Sequence, residues 1–535
     1  MWIFSSPVEF DGVHRFLKLS KDILLIEEAE DARGLTNRCV GQVLTSEIIA
    51  VLPVKTEVSY VEHSKHNAYE LKPINCGIVT FTCHVVKRIS NHRWRDHHWL
   101  FRCADASICQ KWQDRIKAVL AGFQRPQSLI VFINPFGGKR KAPKIYETKV
   151  APYFQLAGIR ARVIMTERAG HAYDTIVADP DIDKLDGIVC VGGDGMYAEV
   201  LNGLLTRTQR RHGVSQDSMN THLVSPDMRI GIIPAGSTDA VVYGTVGIND
   251  AITSALHIVI GDKVAIDVSA VHHNHKLLAY CSSLLAYGYY GDAVVDSERH
   301  RWMGPKRYDY SGFKKFVRNI SYEGEVRFLP HEDTPGKLDD GTSCHSGCTV
   351  CQQAGDKARK LRSEDVSFEN GNWQTISGRF LAVNSVTMSC LCHMSPNGLS
   401  PFAHIGDGCT DLILVHDTSR FNYMRHLWRT ATTKGHPLNM GFVQAFRVKA
   451  YSFRPLVAGS LSTLNSTGNN SNMVCQEGPT TSVWNCDGEI IKEPAIDVRV
   501  HCQLVKIFGR GIEEEDDSSC TMSCNPRAST KSPPI

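Results

Sequence analysis

The stretch "DGIVCVGGDGMYAEV", residues 186–200, decides how the rest of the chain is read. Ile188, Val189, Cys190 and Val191 form a short apolar run that stops at Gly192-Gly193-Asp194-Gly195, and a helix-like pattern follows at once. A continuous apolar run bounded by glycine predicts a strand buried on both faces, of the kind found in parallel sheets.

Working outward, "SLIVFINP" (128–135), "ARVIMTE" (161–167) and "RIGIIPAG" (229–236) have the same character. Helix-length segments such as "APKIYETKVAPYFQLAG" (142–158) and "MYAEVLNGLLTRT" (196–208) lie between them. Strands alternating with helices predict a Rossmann-like parallel α/β domain over residues 126–262, covered on both faces. Residues 263–510 read mainly as strands, among them "KVAIDVSAVHH", "LLAYCSSLLAYGYYGD" and "AIDVRVHCQLVKIFG", and predict a β-rich, sandwich-like domain. Polar residues 331–372 predict an exposed insertion, residues 458–482 a flexible loop, and residues 511–535 a disordered tail. Residues 1–122 read as short strands closed by one amphipathic helix, in which Ile108, Trp112, Ile116 and Val119 share a face. The first forty residues give a poor strand signal.

A chain of 535 residues is too long for one core. Its net charge of +3 supplies no global field for nucleic acid. No run approaches the ~18 apolar residues needed to span a bilayer, and the opening "MWIFSSPVEFDGVHRF" has no signal-peptide pattern. The 18 cysteines are scattered, which predicts reduced thiols in the cytoplasm rather than a disulfide framework.

Three predicted strand ends carry glycine-rich punctuation: "NPFGGK" (134–139), "GGDG" (192–195) and "PAGSTD" (234–239). Ligands of open α/β sheets sit beyond the carboxyl ends of the strands. Glycine lets backbone N–H groups approach phosphate oxygens closely, and a helix N-terminus adds positive dipole. Three such loops at one sheet edge suit a polyphosphate, whereas one GGDG alone reads equally well as a tight turn capped by Asp. Neither a G-x-x-x-x-G-K-[ST] loop nor a G-x-G-x-x-G fingerprint is present.

In their order, "INPFGGK", "VGGDGMYAEVLNGL" and "GIIPAGSTD" resemble the catalytic domain of the diacylglycerol kinase and sphingolipid kinase superfamily, across residues 126–510. Together with an N-terminal region similar to a pleckstrin-homology β-barrel, they resemble the ceramide kinases within it. That resemblance implies an active site in a cleft between the α/β and β-rich domains, and ATP-dependent phosphorylation of the primary hydroxyl of ceramide, with Mg2+. It makes Asp194 the base for the lipid hydroxyl and places Gly192, Gly193, Gly195 and Asp292 against the lipid substrate. It puts Pro135, Phe136 and Gly137, the stretch Glu167, Arg168, Ala169, Gly170 and His171, and Glu199 on the nucleotide. Gly236, Ser237, Thr238, Arg301, Arg307, Asp487, Gly488 and Glu489 join that set. Where sphingosine kinases carry an acid facing the substrate amine, this chain has Val294, which favours a neutral amide over an ammonium. Phosphorylation of sphingosine or diacylglycerol, an NAD-kinase-like activity, and a non-catalytic membrane module remain the alternatives.

"CHSGCTVC" gathers Cys344, Cys348 and Cys351, a candidate zinc or redox cluster of a kind that marks ceramide kinases, with Cys390, Cys392 and His393 as further candidates. "SRFNYMRHLWRT" (419–430) sets Phe421, Met424 and Trp428 on one face among arginines, which fits calmodulin, an anionic membrane or plain packing. The resemblance raises the calmodulin reading, with Ca2+ as regulator. It also implies phosphoinositide binding through Lys18, Lys21 and Arg15, and peripheral association with Golgi and plasma membranes.

Overall fold

Two-residue alternation builds the first sheet. Leu17, Leu19, Leu24 and Ile26 turn inward and are fully buried, while Phe16, Lys18 and Leu25 beside them are half-buried. In the computed structural model, which describes residues 1–28, 38–54, 79–89, 92–331, 338, 341–361, 371–456 and 481–514, seven antiparallel strands form this N-terminal sheet. The opening hairpin, Phe4–Phe10 with Val13–Leu19, is regular despite its weak sequence signal. Asp11 and Gly12 both have positive φ and make its turn. Among the described residues no ladder joins the end strands Cys39–Leu44 and Ile48–Val54, so the sheet stays open where a closed barrel was expected. Helix Ala106–Ala121 lies against it, capped by Asp105, with Trp112 fully buried and its indole N–H donating to Ser6 Oγ at 2.8 Å. Among the described residues the cysteines other than Cys39 make no disulfide.

The α/β region is a parallel sheet in the order Arg160–Met165, Ser128–Ile133, Gly187–Gly192, Arg229–Pro234. Ile188 and Cys190 pack one face against helix Asp194–Arg211; Val189 and Val191 pack the other against helix Ala251–Ile260. Both faces are thus covered, as continuous apolar strands require. The outermost strand is the exception: Val163 and Met165 are more than 40% exposed because it forms the sheet edge.

Strand Ile496–Ile507 is the seam of the molecule. It pairs in parallel with Arg229–Pro234 and antiparallel with Val264–His273 and Val443–Pro455. The α/β sheet therefore runs without a break into the β-rich region. Long strands there curl around a core containing Tyr287, Phe380, Tyr451, Phe453 and Trp484. "YYGD" (289–292) is not strand; it opens helix Tyr289–Glu298. Helices Lys306–Arg318 and Arg420–Ala431 add to this region, and the polar insertion contains helix Thr349–Leu361. The expected loop at 458–482 and the tail fall almost wholly outside the described residues.

Candidate active site

The three glycine loops converge. Asn134 Oδ1 accepts from the N–H groups of Phe136 (2.9 Å) and Gly137 (3.1 Å), fixing the first loop. Gly138, at φ +53°, leaves no room for a Cβ, which would lie 2.5 Å from Ala235 O in the third loop. A Cβ on Gly236 would lie 2.5 Å from Gly193 Cα in the second. Backbone meets backbone here, which only glycine permits. The turn at Gly488 rests on Gly195 from the opposite side, and Glu489 Oε1 would be 3.2 Å from a Gly195 Cβ.

Asp194 opens helix Asp194–Arg211 directly after its strand. Its carboxylate accepts from the N–H groups of Ala240 (3.2 Å) and Val241 (3.3 Å), at the start of helix Ala240–Val246. Burial raises its pKa to about 6, with a smaller push from Asp487, while the two N–H groups oppose the rise. Asp239 was not singled out from the sequence, although it ends the "PAGSTD" loop. It is buried in left-handed backbone, accepts from Gly236 N–H (3.1 Å) and the Asn249 amide (2.9 Å), and is pushed to about 7 by burial and by Asp194. Two buried acids whose pKa values are both raised toward neutrality mark a functional-site candidate.

Glu199 reaches back along its helix to accept from Ala172 N–H at 2.6 Å, capping helix His171–Ala178. It thereby fastens the Glu167–His171 stretch, in which His171 Nδ1 accepts from Glu167 N–H at 3.1 Å. Burial raises Glu489, and the nearby charges of Glu199 and Glu298 add to this, partly offset by Arg301. Glu298 is the second residue the sequence did not reveal: it takes Arg301 (Nε, 2.6 Å) and Arg307 (2.9 Å). A single acid in an arginine-rich segment gave no sequence signal for that bridge.

Two predicted residues stand apart. Asp292 accepts from Tyr322 Oη (2.7 Å) and Ser482 Oγ (2.6 Å) beside a small pocket lined by Tyr289, Lys315, Leu381 and Tyr423. The Asp487 carboxylate is spent inside the fold. It accepts from the N–H groups of Ser282 (2.7 Å), Ser283 (3.0 Å) and Leu284 (2.8 Å), and from Ser283 Oγ (2.6 Å). Its side chain therefore holds the turn between strands Lys276–Cys281 and Leu284–Gly288.

In the N-terminal sheet, Lys18 pairs with Glu27 (2.7 Å) and Arg15 with Glu28 (3.2 Å), so two of the three headgroup candidates already have acidic neighbours.

The chain matches the family models for the ceramide kinase PH domain (residues 18–116), the diacylglycerol kinase catalytic domain (128–271) and the ceramide kinase C-terminal domain (283–525). It is 47% identical to human ceramide kinase, over 88% of each chain. The chain belongs to the ceramide kinase family. Mouse ceramide kinase is 45% identical, over 88% of this chain and 90% of its own. Sphingosine kinase 1 of Arabidopsis thaliana is more distant at 30%, over 64% of this chain and 67% of its own. Family membership fixes the class of the site; the roles of its residues follow from their geometry.

Proposed function

We propose that this ceramide kinase family member transfers the γ-phosphoryl group of ATP to the primary hydroxyl of ceramide, with Asp194 as the base. The observation that carries this is the Asp194 carboxylate, held by two backbone N–H groups between converging glycine loops and poised at about pH 6. As the lipid oxygen bonds to the γ-phosphorus and the bond to the β-phosphate oxygen breaks, the hydroxyl proton passes to Asp194. A carboxylate is a weak base, so the proton moves late and positioning does most of the work. The loop N–H groups, Ser237 and Thr238 cradle phosphate oxygens, and Arg301 and Arg307, kept together by Glu298, face the developing charge. Asp194 and Asp239, two buried carboxylates close enough that the charge of Asp194 raises the pKa of Asp239, are the donors that fit Mg2+, a cation held by one or two carboxylates plus substrate phosphates. When bound, it neutralises the phosphates.

Ceramide fits better than sphingosine. Val294 offers no counter-charge to a substrate ammonium, which favours the neutral amide of ceramide. Among the described residues no helix is long and apolar enough to cross a membrane, so the lipid is met at a surface. Helices Lys306–Arg318 and Arg420–Ala431 touch through stacked Phe316 and Tyr423. With the preceding turn Arg301–Met303 they expose Trp302, Phe313, Phe421 and Trp428, each over 60% accessible, amid lysines and arginines. Such a face suits an anionic bilayer beside the Asp292 pocket, with the N-terminal domain as a second weak anchor. Calcium–calmodulin would compete for the same Phe421–Trp428 face.

Labelled phosphate transfer from Mg-ATP to micellar ceramide, sphingosine and diacylglycerol tests the reading. Ceramide phosphate should dominate; preferential labelling of sphingosine would overturn the Val294 argument, and no transfer at all would overturn the activity.

A further inference from the structure

We infer that Cys344, Cys348, Cys351 and His404 form a structural zinc site that staples helix Thr349–Leu361 to the β-rich core. The four ligand atoms lie within 4.8 Å of one another. Cys344 Sγ is 3.7 Å from Cys351 Sγ, and Cys348 Sγ is 3.3 Å from His404 Nδ1. A tetrahedral zinc with Zn–S near 2.3 Å and Zn–N near 2.0 Å sets its ligands about 3.4–3.8 Å apart. The cysteines come from one short turn and the start of its helix; the fourth ligand arrives from 53 positions beyond the last cysteine, on a loop whose neighbours Ala403 and Ile405 are buried. Cys390 and Cys392 take no part: Cys390 Sγ donates to Ser283 O, and Cys392 belongs to a separate bridge with Ser395.

Three thiolates and an imidazole are a soft donor set suited to zinc and poorly suited to Mg2+. All four positions are filled by the protein, so the site is structural rather than catalytic. The staple has a purpose. Helix Thr349–Leu361 is mostly polar and buries no large apolar side chain in the described part. Its anchorage is local: Gln503 Nε2 donates to Cys351 O (2.6 Å), and Ser346 N–H to Ile512 O (2.7 Å). The adjoining Gly511 N–H bonds Thr245 O at 3.0 Å, on the helix that holds Asp194. Zinc binding releases the thiol protons, so affinity falls with acidification.

The full chain, purified under reducing conditions, should carry one zinc per chain by elemental analysis. His404→Asn and Cys348→Ser should weaken zinc binding at least roughly tenfold, while Cys392→Ser retains it. Cobalt(II) exchanged into the wild type should show thiolate-to-cobalt charge transfer and the ligand-field bands of a tetrahedral site, altered in His404→Asn; this readout stands even if a zinc-free variant fails to fold. Absence of stoichiometric zinc after reconstitution, iron with acid-labile sulfide in its place, or unchanged cobalt bands in His404→Asn would each overturn the assignment.

Discussion

At the scale of single residues, the site turns on acids kept near their proton-sharing range. Burial raises Asp194 from 3.8 to about 6, so the folded state binds that proton more tightly than the unfolded chain. Its stabilising contribution is complete below about pH 4 and is lost as pH rises through 6. Asp194→Asn should therefore remove the penalty of the buried charge. Its melting temperature should exceed the wild type's at pH 8, by an amount worth ~1–3 kcal/mol, and the difference should vanish by pH 4. Wild-type kcat/KM should decline as pH falls below about 6. Replacing Asp487 has the opposite effect on stability, through lost hydrogen bonds. Asp487→Ala strands three backbone donors and a hydroxyl and should lose ~3 kcal/mol or more in denaturant unfolding, whether or not nucleotide is present. The GGDG acid was legible because glycine spacing is a local signal. Asp239 and Glu298 were not, because their importance comes from partners that only tertiary folding supplies.

At the scale of elements, central strands announced themselves and edges did not. Strands such as Gly187–Gly192 are apolar on both faces, and their short length and flanking glycines decide for strand over buried helix. Hairpins Phe4–Phe10/Val13–Leu19 and Trp484–Cys486/Glu489–Ile491 mix polar and apolar residues or are only three residues long, so periodicity has little to work with. Helix Tyr289–Glu298 was hidden by aromatic residues that favour strand, and tertiary packing overrode that preference. The amphipathic helix at 420–431 was legible, and its predicted face is indeed exposed: Phe421, Met424 and Trp428 are all at least 48% accessible. Replacing Phe313 and Trp428 together by Glu should cut binding to anionic vesicles by roughly tenfold or more, at about 1 kcal/mol or more per lost anchor. Turnover of a short-chain, water-dispersed ceramide should change less than twofold. Equal losses in both assays would show that the face supports the fold instead.

At the scale of the whole molecule, the N-terminal domain is bolted to the catalytic region by charge. Arg88 pairs with Glu47 (2.6 Å) and Glu513 (2.9 Å), and Arg510 with Asp262 (2.9 Å) and Glu47 (3.1 Å). Trp94 lies between the two guanidiniums and stacks on His257 at 3.8 Å. No sequence pattern announces this bolt, because its members lie 41 to 463 positions apart. Arg510→Met should leave Glu47 and Asp262 short of a partner, cost roughly 1–3 kcal/mol, and split one calorimetric transition into two. The central claim concerns the glycine loops where they meet Asp194. Its most direct test is labelled γ-phosphate transfer to ceramide by wild type and Asp194→Asn side by side, with melting curves on the same samples. The expected result is ceramide phosphate from the wild type, a loss of at least about 100-fold in the variant, and a variant that melts no lower. A variant that still transfers phosphate at near wild-type rate would contradict the assignment of Asp194 as the base.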